Sequence, residues 1–329
     1  MIRSRSSTIP APARTSGRVA GAPAWPSHGL GIVFTLIGAC CWSLGGFFTR
    51  STHGIDAWQI VFYRSWVVLL LMGAVMLGRH RSRVLSVFRE AGINAAIAGV
   101  ALGLAGLTFV LSLFYTTVAQ SIFMVGIAPF CSAILGWWIL RERAARATWI
   151  AMLAALVGLS IMLAGTTLRG FSGSVLALYS AFSFSCYSVL LRWGQRTDMN
   201  ASIIWNALFL ILFSALILLI ESPLRTGAGS GNFVIGWWNL AIVLAMGAIQ
   251  LTLGLALFTL GSKSVPAAEL ALLALLEPVL APIWVWLAFG ETPSVPTLTG
   301  GAVILAALLW RIIADQAAFF RPDRFMRLS

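Results

Sequence analysis

Residues 266–291 read PAAELALLALLEPVLAPIWVWLAFGE, with Glu277 near the middle and Pro278 directly after it. A spanning helix needs about 20 mostly apolar residues, and this stretch supplies them. Residues 117–142 read TVAQSIFMVGIAPFCSAILGWWILRE. The two stretches align at an offset of 149, which sets Gln120 opposite Glu269, Pro129 opposite Pro278 and Glu142 opposite Glu291. Proline and terminal glutamate are 13 residues apart in both. Further matches lie outside these stretches. Phe109 falls opposite Phe258 at the same offset, Gly31 to Arg50 and Gly173 to Arg192 each span 19 residues, and Ser43 and Ser185 occupy the same place within them. Matches in this order predict two related halves.

The rest of the chain is built the same way. It is 59% hydrophobic and only 10% charged, against about 25% charged in soluble domains. Apolar runs at about 30–49, 57–77, 93–114, 118–138, 147–165, 172–191, 201–220, 236–260, 266–289 and 298–315 predict ten transmembrane helices. Short connections leave no room for a soluble domain. The net charge of +12 is spread over loops and tails rather than one face, which argues against a nucleic-acid partner and for orientation signals. With the amino terminus inside, 18 of the 22 basic residues fall inside, Arg50, Arg169 and Arg225 fall outside, and Arg64 lies within the second span. That bias places both termini in the cytoplasm. The first 29 residues, rich in Pro, Ala, Ser and Arg, read as a disordered tail.

Five spans per half is an odd number, so the second copy enters the membrane upside down. Inverted repeats are a recurrent plan of secondary transporters, with the solute site near the midplane between the copies. The expected fold is an all-α integral membrane protein of two inverted five-helix repeats. Its expected units are a tail (1–29), a first repeat (30–166), a second repeat (167–315) and a cytoplasmic tail (316–329).

With its first helix carrying Cys41-Trp42-Ser43-Leu44-Gly45-Gly46-Phe47, Arg64 in the second, Pro129 through Arg141-Glu142-Arg143 in the fourth and Leu276-Glu277-Pro278-Val279 through Gly290-Glu291 in the ninth, the chain resembles the EamA-domain carriers of the drug/metabolite transporter superfamily. The resemblance covers about residues 30–315. It implies ten helices, alternating access and a central cavity for a small metabolite such as an amino acid, nucleoside or sugar, often exported or exchanged. One departure stands out. The family has Gly-Glu at the end of both the fourth and ninth helices, whereas here Arg141 precedes Glu142. That substitution questions any tight-turn role at this position.

Ionisable side chains inside the hydrocarbon cost a few kcal/mol and usually face a cavity or a partner. Glu277 and Arg64 are the two such groups near the centre, about 5 Å apart in depth at 1.5 Å per residue. Glu277 can carry a coupling proton, bind a cationic group on the solute, or pair with Arg64 to hold the fold. Desolvation favours the neutral form of a carboxyl, which is what proton coupling requires. Arg64 can instead lock helices by satisfying several carbonyls. Pro278 and Pro129 each remove a backbone N–H, so helix breaks are expected at the depth of the carboxyl and at the matching place in the fourth helix. Gln120, Gln250 and Asn206 can hydrogen-bond a solute, and Trp42, Tyr63, Tyr179 and Tyr187 can wall a cavity. Each of these serves interhelical packing equally well. Glu269 reads as a solvated helix end, and Glu142 and Glu291 as structural. Trp58, Trp137, Trp138, Trp237 and Trp238 suit the interfacial belt. Gly99, Gly103 and Gly106 give the third helix a small face, as Gly300 and Gly301 do in the tenth.

The expected activity is secondary transport, not enzymatic catalysis. No Walker A sequence occurs, no histidine lies within a span, and the four cysteines form no metal-ligand pattern with the three histidines. No cofactor or metal is expected. The partners are a small-molecule substrate and the lipid bilayer, with protons as a candidate coupling ion and a homodimer compatible with the sequence. The alternatives are a receptor-like or structural membrane protein and a lipid-modifying enzyme. The location expected from the family and the compact loops is the bacterial inner membrane.

Overall fold

Hydrocarbon offers no partner for a peptide group, so an apolar run folds as a helix, which satisfies its own backbone. The computed structural model describes residues 26–164, 170–221 and 234–319. Among them lie nine helical stretches long and apolar enough to cross a membrane. One of these, Ala57–Tyr115, has 59 residues, about 88 Å of helix, too long for one pass. It doubles back. Arg81 and Gly92 take positive φ values of 49° and 58°, and Trp58 stacks on Phe114 with ring centroids 6.5 Å apart, which brings its two ends together. The described residues therefore make ten passes. These are α1 (His28–Ser51), α2 (Ala57–His80), α3 (Val84–Tyr115), α4 (Val118–Leu140), α5 (Arg146–Leu163), α6 (Phe171–Trp193), α7 (Asn200–Glu221), α8 (Trp237–Gly261), α9 (Ala267–Phe289) and α10 (Val295–Phe319). The last helix runs four residues into the stretch read as a tail. Residues 1–25 and 320–329 of the expected tails, with Arg169 and Arg225, lie outside the described residues.

Side-chain bonds sort the helix ends onto two faces. On the face of His28, here the N face, His28 Nδ1 is 3.0 Å from the Ser264 carbonyl oxygen and His80 Nε2 is 2.9 Å from Asp198 Oδ2. On the opposite face the Asn239 side chain accepts from the His53 backbone N–H at 3.0 Å, and Gln120 Nε2 donates to Ser174 Oγ at 2.6 Å. Asp198 lies in the α6–α7 connection. Burial pushes its carboxyl up, but the His80 hydrogen bond, the Asn200 backbone N–H and the charges of Lys263 and Arg79 outweigh that and hold it below the usual range.

The inverted repeat is visible residue by residue. α4 is interrupted between Val125 and Ala128, and α9 between Leu273 and Leu276. Both breaks come before the proline. Pro129 and Pro278 then sit in the first turn of the next helical piece, where a missing N–H costs nothing. The Ala274 carbonyl, which a continuous helix would pair with residue 278, accepts from the Glu277 N–H at 3.0 Å instead. At the far ends, Arg141 (φ 59°, ψ 20°) and Gly290 (φ 71°, ψ 8°) occupy the same left-handed conformation. The turn survives the loss of glycine, with Arg141 in a strained backbone.

Small residues let helices from the two halves meet. A Cβ on Gly158 in α5 would lie 2.7 Å from the Gly300 carbonyl oxygen in α10. Gly99 and Gly103 lie against α7, whereas Gly106 faces open space and adds nothing to that face. Trp137, Trp138, Trp237 and Trp238 are exposed as an interfacial belt requires, but Trp58 is buried inside the α2–α3 hairpin, contrary to expectation.

The N face is closed by buried charge. Glu269 is not a solvated helix end. It is 1% exposed, and Arg311 Nη2 donates to its Oε2 at 2.9 Å. Arg311 Nε also donates to Thr148 Oγ1 at 2.9 Å, joining α10, α9 and α5. Hydropathy could not show this, because the arginine that buries Glu269 comes from 42 residues away in sequence.

Two outcomes follow. Arg141→Gly relieves a left-handed side chain worth about 1 kcal/mol, so its unfolding temperature in detergent should rise by a few degrees. Glu269→Gln strands a buried guanidinium and should cost about 3–5 kcal/mol. Glu291→Gln, which opens an exposed pair, should cost about 1 kcal/mol or less in the same assay.

Candidate functional site

The break in α9 creates the site's geometry. Glu277 is the second residue of the helical piece Leu276–Phe289, ten residues in from Ala267. At 1.5 Å per residue that is about 15 Å from the N-face end of the helix, close to its middle. The matching position in α4 is Ala128, whose carbonyl accepts from Ser185 Oγ at 2.8 Å. A carboxyl at this depth is therefore a property of the second copy alone.

The two pieces of α9 differ in surroundings. Every residue from Ala267 to Leu275 is buried, whereas between Leu276 and Val285 only Val279 is. Lipid covers one side of a helix with a period of 3.6 residues. From Leu280 to Val285 six consecutive residues keep some accessibility, more than a single lipid-facing side accounts for. The molecule is closed around α9 toward the N face and looser toward the opposite face.

Arg64 lies in α2, about 10 Å from its opposite-face end. Its Nε is buried without a hydrogen-bond partner, and no ion pair joins it to Glu277. The fixed-pair role is therefore not realised in this conformation. Both charges remain uncompensated by one another, an arrangement that buried groups normally avoid.

Gln250 and Trp42 come together where α8 packs on α1 and α2, and a Cβ on Gly247 in α8 would lie 2.9 Å from the Arg64 carbonyl oxygen. Gln250 sits in a π-helical segment of α8, Met246–Leu253, a distortion frequent at functional sites. Its Nε2 donates to the Trp42 carbonyl oxygen at 3.2 Å. Gln250 Oε1 and Trp42 Nε1 are left buried and unpartnered. Buried polar atoms are normally hydrogen-bonded, so an acceptor and a donor left without partners on two contacting residues single out this pair chemically. Gly45 leaves room for Gln250, since a Cβ there would collide with its amide.

Aromatic rings floor this region on the N-face side. Trp42 lies 4.8 Å from Phe258 and 6.0 Å from Phe184 between centroids, and Tyr187 stacks on Phe258 at 6.2 Å. Tyr187 is fully buried, with its hydroxyl 3.5 Å from Thr259 Oγ1. It closes the floor rather than lining an opening. Phe184 and Phe258 complete the layer, and no polar signal singled them out. Trp284 was missed as well. Its Nε1 donates to Ser43 Oγ at 2.8 Å, bridging α9 to the break in α1.

Three candidates fall away from the centre. Gln120 is at the opposite-face end of α4, tied to Ser174. Asn206 is buried in the α3–α7 interface, where its backbone N would lie 2.8 Å from a Cβ on Gly99. Tyr179 is exposed on the outer surface. At the N-face end, Arg192, Gln195, Arg196, Lys263 and Ser264 line an open, basic cavity of about 390 Å³.

Comparison with known proteins agrees with this architecture. A crystal structure at 18% identity superposes with a TM-score of 0.71, covering 89% of this chain and 99% of the other, which shows the fold. An uncharacterized transporter of Archaeoglobus fulgidus is 29% identical over 202 residues, 60% of this chain and 68% of its own length. The pseudopaline exporter CntI of Pseudomonas aeruginosa is 24% identical over 264 residues, 78% of this chain and 86% of its own. The EamA-like transporter family matches in two blocks, residues 29–164 and 171–312. With both halves matched and ten spans arranged as inverted copies, the chain belongs to the EamA-like transporter family and is an integral membrane transporter of a small molecule.

Proposed function

We propose that the chain is a secondary carrier that exports or exchanges an amino acid or related polar metabolite by alternating access, coupled to protons through Glu277. The observation that carries this reading is a pair of opposite charges, one on each half, joined by no ion pair: Glu277 at a helix break and Arg64 with a buried, unpartnered Nε, together with the unpartnered atoms of Gln250 and Trp42. A solute bearing both a cationic and an anionic group answers that set, with Glu277 facing the cation and Arg64 the anion. When the site is empty, a proton on Glu277 serves in place of the cation. Exchange of solute for proton at one carboxyl links the two fluxes.

Orientation follows from charge. Arg81, Arg83, Arg141 and Arg143 lie in N-face connections and Arg79 and Arg146 at the adjoining helix ends, a bias that supports a cytoplasmic N face. The carrier then rests open to the outside of a bacterial inner membrane. The similarity to a protein named as a pseudopaline exporter supports export of a metabolite.

The test is counterflow of labelled amino acids in proteoliposomes, with and without a pH gradient. Wild type should respond to the gradient. Glu277→Gln should lose about tenfold or more in rate, the worth of one charge-assisted contact, and lose its pH dependence. Unchanged rate and pH dependence in Glu277→Gln would remove the carboxyl from the mechanism.

A further inference from the structure

Arg50 and Arg192 stand at the same place in the two copies, 19 residues after Gly31 and Gly173, and Glu142 and Glu291 do likewise, 13 residues after Pro129 and Pro278. The fold joins these four residues crosswise. Arg192 Nε donates to Glu142 Oε1 at 2.7 Å on the N face. Arg50 Nη2 donates to Glu291 Oε2 at 2.9 Å on the opposite face. Each bridge ties the first helix of one half to the end of the fourth helix of the other. The inverted repeat therefore maps one bridge onto the other.

We propose that the two bridges are two copies of one latch: both are formed in this conformation, and each is shielded and strong when its own face is shut and exposed and weak when that face is open, so that Arg192–Glu142 favours the state seen here and Arg50–Glu291 the opposite state. The surroundings differ as the proposal requires. The N-face pair is 16% and 28% exposed, the other pair 60% and 49%. Arg192 is further held through Nη1, which donates to Gln195 Oε1 at 2.6 Å and to the Lys263 carbonyl oxygen at 2.7 Å. The second of these bonds fastens the α8–α9 connection beneath the aromatic floor. Arg50 has no such additional bond among the described residues. A shielded charge-assisted bond is strong, while an exposed one contributes little. In a carrier of inverted copies, the opposite state arises when the halves exchange conformations. The two bridges then exchange surroundings as well. Glutamate is required in both copies for this role, whereas the solute-site carboxyl occurs in one.

The latch rests on the alternating-access reading above, so its test uses accessibility rather than transport and needs no substrate. In the full-length chain, the four cysteines, Cys40, Cys41, Cys131 and Cys186, are replaced by alanine. Ala281→Cys, one turn from Glu277 on the same helix face, then serves as the reporter. A membrane-impermeant maleimide is applied to right-side-out and inside-out vesicles. Glu142→Gln should raise labelling from the N face relative to the opposite face by about fivefold or more. Glu291→Gln should shift the ratio the other way by about twofold or more, because the bridge it removes is weak here and strong in the opposite state. Arg192→Glu combined with Glu142→Arg should restore the wild-type ratio, which general loosening of the bundle would not. The latch is overturned if both single changes shift the ratio in one direction. It is equally overturned if neither shifts it while the wild-type site reacts from both faces. A site reached from a single face in wild type and every variant would instead overturn alternating access itself.

Discussion

A backbone group without a partner is intolerable in lipid, and that constraint organises the whole molecule. Eight of the ten spans can face hydrocarbon because each satisfies its own peptide groups over the membrane depth, α1 and α8 with local distortions. α4 and α9 are interrupted, so their broken turns must be covered by protein. Ser185 of α6 caps the carbonyl that follows the α4 break, and the inner piece of α9 is buried at every residue. Placing two broken helices at the centre of a bundle leaves polar groups exactly where the two halves meet. The site proposed at the midplane thus lies where interrupted helices are permitted.

Much of this was legible before any coordinates. Ten apolar runs and the Pro-to-Glu spacing predict the spans and the repeat, because lipid enforces those patterns one segment at a time. The prolines marked both breaks, though each interruption lies a few residues ahead of its proline, where the orphaned carbonyl is. The partners of individual charges were not legible. Glu269 looked solvated because it begins a helix, and its burial depends on Arg311 arriving from α10. Trp58 looked interfacial for the same reason, since only the tight return of α3 covers it. Gln120 and Asn206 have the right chemistry for a site, but their depth and facing place them at an end and in a seam. The aromatic floor was half visible, since Phe184 and Phe258 carry no polar atom to distinguish them from ordinary core.

The two copies have also diverged unequally. At the loop after the fourth helix, arginine tolerates a glycine conformation, so the backbone geometry outlived the residue best suited to it. At the break itself, alanine in one copy faces glutamate in the other. Terminal positions carry the same charge in both copies, whereas the central position carries it in one.

That single carboxyl limits the bookkeeping of ion movement. A symmetric pair of acids could release two protons per conformational cycle, one from each copy. With an alanine at the equivalent depth, the proposed coupling has one proton at this position to exchange for one bound cation, a one-for-one stoichiometry.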